Sequence, residues 1–405
     1  MERFRLGIIG LGCRGRSMTG LLAEREDCDI TAICDEYADR CDSMKEKLAE
    51  QGHDPAIYLD YEKLIAAPEV DVVFVFSAWE NHVPAVVASM KAGKPVAFEV
   101  GGAYTVEDCV LLCETYRETG TPAMMLENCC YGRVEQTLYA MNQDNFFGEI
   151  VHLCGGYNHD LREEVSMGVE NRHYRHRNYR SRNCENYPTH ELGPLNVLLG
   201  IGHGNRFVRL SAFASKSAGL DTYIKNHPDR DQTYADGKWA QGDVVTTILT
   251  TSEGQTVRLS LDTTLPRPYS RGLEIHGTKG WFSQDNMSVY TDENNVEADH
   301  FKWKNFWGNY SQYEEKHMPK LWRDYLDAGI KKGHGGMDFL VLDAFLSAVR
   351  DGSPMPIDIY DAAIMMAVTP LSELSIKMGN APVEFPDFTE GIEDRETAEG
   401  KYKLF

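Results

Sequence analysis

The stretch from Phe4 to Gly15, Phe-Arg-Leu-Gly-Ile-Ile-Gly-Leu-Gly-Cys-Arg-Gly, constrains the fold more than any other part of the chain. Phe4 to Ile9 is a short apolar run with the length and β-branched content of a buried parallel strand. Gly10, Gly12 and Gly15 then follow at the spacing that turns a strand tightly into a helix. The first glycine permits the turn, the second lets the backbone approach a pyrophosphate, and the third allows close helix packing. Free N–H groups at the helix start face the phosphates. A second strand, Asp29 to Asp35, ends on an acid 25 positions after Gly10. A carboxylate there holds both ribose hydroxyls of an adenosine half, and with Glu36 beside it disfavours a 2′-phosphate. An ordinary strand end would explain Asp35 alone, but not strand, glycines, helix and acid in that order. Gly10, Gly12, Cys13, Arg14 and Asp35 are therefore expected to bind a dinucleotide.

The alternation continues. Ala38 to Gln51 reads as a helix, Ala56 to Tyr58 as a short strand, and Asp71 to Phe76 as a continuous apolar strand. Trp79, Asn81 and His82 follow that strand, ahead of a helix from Pro84 to Ala92. Pro95 to Val100 is the next strand and contains Glu99; Val106 to Thr119 is helical, and Ala123 to Leu126 is a strand leading to Asn128. Strands alternating with helices predict a doubly wound parallel sheet whose functional groups lie just past the strand C-termini. Trp79, Asn81, His82, Glu99 and Asn128 join the cofactor candidates on that ground.

From about Tyr131 the texture changes. Val208 to Ala214, Asp243 to Thr251, Gln255 to Thr263 and Gly272 to His276 alternate apolar and polar residues between turns, as in an antiparallel sheet. Tyr187 to Leu199 and Met337 to Arg350 read as helices, and the amphipathic stretch from Ile359 to Met378 is long enough to pack back on the first domain. The expected fold class is α/β, a doubly wound parallel sheet in residues 1–127, followed by an α+β domain with a large, mainly antiparallel sheet in residues 128–405.

Composition narrows the function. With 62 acidic residues against 41 Lys plus Arg, the net charge is -21. A nucleic-acid partner is not expected, since phosphate contacts need clustered basic residues. His173 to Arg182 is a basic, aromatic exception, read as a solvated loop or as a loop facing a polar pocket. Ten scattered cysteines lack paired C-x-x-C spacing and fit a reducing compartment. No leader pattern precedes the first strand and no run long enough to span a bilayer is evident, so a cytoplasmic protein with no membrane partner is expected.

The order and spacing of these motifs resemble the glucose-fructose oxidoreductase, inositol dehydrogenase and rhizopine-catabolism (Gfo/Idh/MocA) family. The resemblance rests on the glycine turn, Asp35, Trp79-Glu-Asn-His82, Ala92-Gly-Lys-Pro-Val-Ala-Phe-Glu99 and Pro356 to Ile376. It implies a Rossmann domain, NAD as cofactor and a homo-oligomer. Sugar dehydrogenases of that family carry Lys-Pro after the strand-end glutamate, and that lysine manages the proton of the reacting hydroxyl. Val100-Gly101 stand there in this chain, so proton handling must come from elsewhere. Met124 to Asn128, Gly155 to Arg162, Tyr187 to Pro194, Asn205-Arg-Phe, Ala214-Ser-Lys-Ser and Gly333 to Asp338 are similar to the NAD-dependent glycosidases of glycoside hydrolase family 109. That narrower resemblance implies α-N-acetylgalactosaminidase-like chemistry on a small sugar or glycoside. It makes Tyr187 and His190 the catalytic pair and places the sugar near Tyr157, Arg175, Tyr187 and Tyr269. The alternative it leaves is an NAD-dependent sugar or polyol dehydrogenase.

The residues themselves suit that chemistry. Pro188 favours the first helical position, which puts Tyr187 at a helix start and His190 one turn on. Either can transfer a proton, and a neighbouring cation such as Arg175 favours loss of one from tyrosine. His334, in a Gly-rich turn, reaches the sugar or caps the helix from Met337. His159 and Asp160 are an orienting pair or, as the better fit, a surface turn. Tyr269, in Pro-Arg-Pro-Tyr-Ser-Arg, reads as a sugar platform. No set of His, Cys and carboxylates has metal-ligand spacing, and the paired carboxylates of ordinary glycosidases are not identifiable.

Overall fold

Phe4–Ile9 (β1) lies at the centre of a six-stranded parallel sheet because both its neighbours, like itself, are apolar on both faces. With Cys28–Cys34 (β2), Ala56–Tyr58 (β3), Val72–Val75 (β4), Val96–Phe98 (β5) and Ala123–Met125 (β6), the order is β3-β2-β1-β4-β5-β6. The strand order reverses between β1 and β4, the crevice where such sheets bind ligands past their C-terminal ends. Leu6, Ile8, Val73, Phe74 and Val75 are fully buried. The computed structural model describes residues 3–293, 302–331, 333–392 and 395–405.

The helices fall close to their expected ranges. Ala38–Ala49 is shorter by two residues than expected, and His82–Lys91 begins earlier, directly after a 3-10 turn at Trp79–Asn81. Val106–Thr119 starts with a reciprocal cap between Thr105 and Asp108 and ends at Gly120, whose φ of 62° suits glycine.

The second sheet has eight strands among the described residues. Ile150–Asn158 (β7), Phe207–Ala214 (β8), Val244–Thr251 (β9), Thr256–Asp262 (β10), Glu274–Gly277 (β11), Gly280–Ser283 (β12), Ser288–Thr291 (β13) and Val383–Glu384 (β14) take the order β13-β12-β11-β7-β10-β9-β8-β14. Every pairing is antiparallel except β7 with β10. The central strand β7 is absent from the sequence expectation because Gly155 and Gly156 interrupt its pattern. Both glycines are required: a Cβ on Gly155 would meet Glu191 Cγ at 2.0 Å, and one on Gly156 would meet the Ser260 carbonyl oxygen of β10 at 2.1 Å.

By its internal contacts the chain divides into two units. The first comprises Met1–Tyr131, Ala328–Ala367 and Gly391–Phe405; the second comprises Gly132–Asp327 and Val368–Glu390. The sequence reading put the boundary at 127/128 and did not separate the later returns to the first unit. The helix Met337–Asp351 lies in the first, and Ile359–Lys377 contributes its residues to both. Ile359–Lys377 is long and apolar enough to cross a membrane by length and composition, contrary to the expectation that no such run exists, and 89% of that stretch is buried within the protein. His173 to Arg182 is not a loop: Tyr174–Ser181 is a helix that buries Arg175, His176, Asn178 and Tyr179.

Candidate active site

In the first unit the glycine turn has the form its spacing predicts. Gly10 has a φ of 94°, and a Cβ there would meet the Ser77 backbone nitrogen at 2.4 Å; a Cβ on Gly15 would meet the Gly10 carbonyl oxygen at 2.0 Å. Gly12 differs. Its φ is -64° and a Cβ there would meet nothing within 4 Å, so nothing in the chain itself demands glycine. The helix Cys13–Ala23 begins at Gly12 with no side-chain cap and no acidic residue in its first turn, which leaves its N–H groups to an external anion. Cys13 is exposed at that start. Asp35 is buried; its Oδ2 accepts from Leu11 N at 2.7 Å and its Oδ1 from Tyr37 N at 3.0 Å, which ties the end of β2 to the glycine turn. The open face of Gly12, the uncapped helix start and the strand-end acid form a donor set that fits the pyrophosphate and ribose of NAD.

Arg14 does more than line that turn. Its Nε donates to Glu99 at 2.7 Å, and Nη1 and Nη2 donate to the two Asp338 carboxylate oxygens at 2.7 and 2.9 Å. Asn128 Nδ2 donates to Asp338 Oδ1 at 2.7 Å, and His334 Nδ1 lies 2.8 Å from Asp338 Oδ2. Arg14, Glu99, Asn128 and His334 thus meet around one buried carboxylate that the sequence reading quoted only within a motif. Burial opposes ionisation of Asp338, but the hydrogen bond from His334 and the paired Arg14 outweigh it and hold the carboxyl well below the usual range. Burial likewise opposes charge on Arg14, which Glu99 and Asp338 overcome. His334, expected beside the sugar, sits in a turn at φ 43° as part of this first-unit network.

Trp79 and His82 act as pins. Trp79 Nε1 donates to the Val100 carbonyl at 3.0 Å, and the His82 ring nitrogens lie 3.1 and 3.0 Å from the Gly101 and Ser77 carbonyl oxygens. Burial, only partly offset by those carbonyls, keeps the His82 pKa below its ordinary value. Asn81 closes the 3-10 turn between them.

The second unit gathers the residues expected at the sugar. Tyr157, in β7, stacks on Tyr187 with ring centroids 4.2 Å apart, and His190 meets Tyr187 edge-on at 4.8 Å. Tyr187 precedes the helix rather than starting it: the helix is Thr189–Leu199, with Pro188 as its cap. The guanidinium of Arg175 lies 4.8 Å from the Tyr187 ring centroid. Burial disfavours charge there, yet Tyr174, Glu164, Tyr157 and Tyr187 together hold Arg175 firmly protonated. Glu164 Oε1 lies 3.2 Å from Arg175 Nε.

His159 corrects the surface-turn reading. The Tyr157 hydroxyl and His159 Nδ1 share a 2.9 Å hydrogen bond, and the His159 ring meets Tyr269 at 5.1 Å and 90°. Burial and then the charge of Arg175 lower the His159 pKa. Asp160 instead pairs with Arg162. Tyr269, 54% exposed, is held beside this group because Asn158 and Ser270 exchange backbone hydrogen bonds of 3.0 and 2.9 Å. Arg271, next along, bonds the buried Glu135 and lies 3.9 Å from the buried Glu191. Glu135 has no sequence signal, since its partner is distant in the chain.

Residues 131–393 match the family description "Glycosyl hydrolase 109, C-terminal domain", and residues 4–126 match "Oxidoreductase family, NAD-binding Rossmann fold". A glycosyl hydrolase family 109 protein of Stenotrophomonas maltophilia is 36% identical over 420 residues, covering 96% of this chain and 90% of the relative. A Tannerella forsythia protein named alpha-N-acetylgalactosaminidase is 35% identical over 411 residues, covering 96% and 86%. Among solved structures, a Lactobacillus casei myo-inositol dehydrogenase in complex with NAD(H) and myo-inositol shares the fold at a TM-score of 0.64 and 14% identity, over 99% of this chain and all of the other. An Agrobacterium radiobacter oxidoreductase in complex with NAD+, L-tartaric acid and magnesium does so at 0.67 and 16%, over 95% and 98%. Matched along nearly its whole length, the chain belongs to glycosyl hydrolase family 109 and is an NAD-dependent glycosidase.

Proposed function

We propose that the protein hydrolyses terminal N-acetylgalactosaminides, or closely related sugars, by oxidation, elimination, water addition and reduction within one turnover. The observation that carries this is the group of Tyr157, Tyr187 and His190 stacked beside a buried, permanently charged Arg175. Gly10, Gly12, Cys13 and the helix behind them would hold the NAD pyrophosphate, and Asp35 the ribose hydroxyls. NAD held there would supply transient, reversible oxidation at the sugar C3. Tyr187 or His190 takes the proton from C2, which a C3 ketone acidifies, as the substituent on C1 departs. Arg175 favours the negative charge that a Tyr187 base carries before that transfer. His159 orients the Tyr157 hydroxyl, and Tyr157 and Tyr269 present aromatic faces to the sugar ring. The named relatives support the sugar class, and the net charge of -21 disfavours an anionic polymer as substrate. Ten free cysteines, nine of them buried, support the cytoplasm as its compartment.

Hydrolysis of aryl N-acetylgalactosaminides by the intact protein tests this reading. Tyr187→Phe and His190→Ala should each lower kcat by about 10²-fold or more while NAD still binds, because positioned acid–base groups contribute that much. Full turnover in both variants would remove them from the chemistry.

A further inference from the structure

On the other face of the large sheet, three metal-ligand side chains converge, with a fourth beside one of them. Side chains alternate along a strand, so His152 and Cys154 of β7 share one face while Leu153 and Tyr157 point to the opposite one. In β11, Glu274 pairs with Cys154 and His276 with His152, so their side chains lie on that same face. The ligand atoms of Cys154, Glu274 and His276 all lie within 4.8 Å of one another. His152 Nε2 is 3.2 Å from Cys154 Sγ, and His276 Nε2 is 3.5 Å from Glu274 Oε2. Donors placed tetrahedrally around zinc at about 2.0–2.3 Å stand roughly 3.3–3.8 Å apart, so the His152–Cys154 and Glu274–His276 pairs already stand near ligand spacing.

Two details point to a ligand rather than to a simple hydrogen-bonded patch. His276 Nε2 is buried and has no hydrogen-bond partner among the described residues. His152 uses Nδ1 on the Thr256 hydroxyl at 2.7 Å, which fixes the ring with Nε2 toward Cys154. Metal-bound histidines are oriented in this way by a partner on the other nitrogen. Arg258, exposed on β10 opposite Cys154, is a cation beside the cluster; Glu274 offsets it, and its long side chain can turn to solvent.

We propose that His152, Cys154, Glu274 and His276 bind one zinc-class divalent ion, as a structural site on the sheet face opposite Tyr157. All four donors come from the protein, which leaves no open coordination position for catalysis. The Cys154 thiol releases its proton to solvent as the ion binds. Sequence spacing hides the site because two ligands lie on β7 and two on β11, 120 residues later.

The test is metal content and the cobalt spectrum of the full-length protein. After incubation with excess zinc and dialysis, elemental analysis should find close to one zinc per chain. Cobalt in its place should give thiolate charge-transfer absorption and the visible bands of a tetrahedral ion. Cys154→Ser should abolish the charge-transfer absorption, and His276→Gln should also lose the retained ion, while both variants still hydrolyse the aryl glycoside and so are folded. Zinc well below one per chain in the parent protein, or a cobalt spectrum unchanged in Cys154→Ser, would overturn the assignment. The second variant keeps the test decisive if the first fails to fold.

Discussion

At the scale of the residue, the site is built from side chains whose charge is fixed by what they touch. Gly101 has a φ of 79° and a Cβ there would lie 2.8 Å from Trp79 Nε1, so the packing of Trp79 demands glycine at that position. Glu185, two residues before Tyr187, makes a measurable prediction. Its backbone is held by the Ser372 and Thr369 hydroxyls, and burial, only partly offset by the Tyr187 backbone, pushes its carboxyl up to about 8. An unfolded glutamate ionises near pH 4.3, so the unfolded chain holds fewer protons between about pH 4.3 and 8 and stability falls across that window. Glu185→Gln removes this loss. The Tm of the variant relative to the parent should rise from pH 5 to pH 8 and then level off; parallel Tm profiles would show that Glu185 is ionised in the fold.

At the scale of the element, two kinds of glycine separate. Gly156 of β7 is packed against a backbone carbonyl of β10, whereas Gly12 at the helix start faces open space. Gly156→Ala should therefore destabilise the fold by about 1–3 kcal/mol, as overpacking does, measured by denaturant unfolding. Gly12→Ala should leave that unfolding unchanged and weaken NAD binding, measured by titration. Destabilisation by Gly12→Ala with unaltered affinity would mean that its glycine serves packing alone. The same contrast explains what the sequence made legible. The glycine turn, the strands of the parallel sheet and the Tyr187-Pro-Thr-His190 segment are local patterns, each read within a few residues. Strand β7 was hidden by glycines whose need arises from Glu191 and Ser260, far away in the chain. Asp338 was hidden likewise, because its partner Arg14 lies 324 positions earlier. Tyr174–Ser181 was misread as a loop, since its charged residues mask a buried face.

For the whole molecule, the central claim is that an NAD-binding fold runs a reaction with no net oxidation. A dehydrogenase consumes NAD+ in step with product; a glycosidase that oxidises and then reduces the same sugar regenerates it. In the proposed mechanism, removal of the C2 proton by Tyr187 or His190 would also expose that carbon to exchange with solvent. The most direct measurement is hydrolysis of an aryl N-acetylgalactosaminide in deuterated water by the protein with bound NAD, followed by analysis of the released sugar and of NADH. The account predicts deuterium at C2 and no accumulation of NADH. Sugar unlabelled at C2, or NADH rising in step with product, would contradict it.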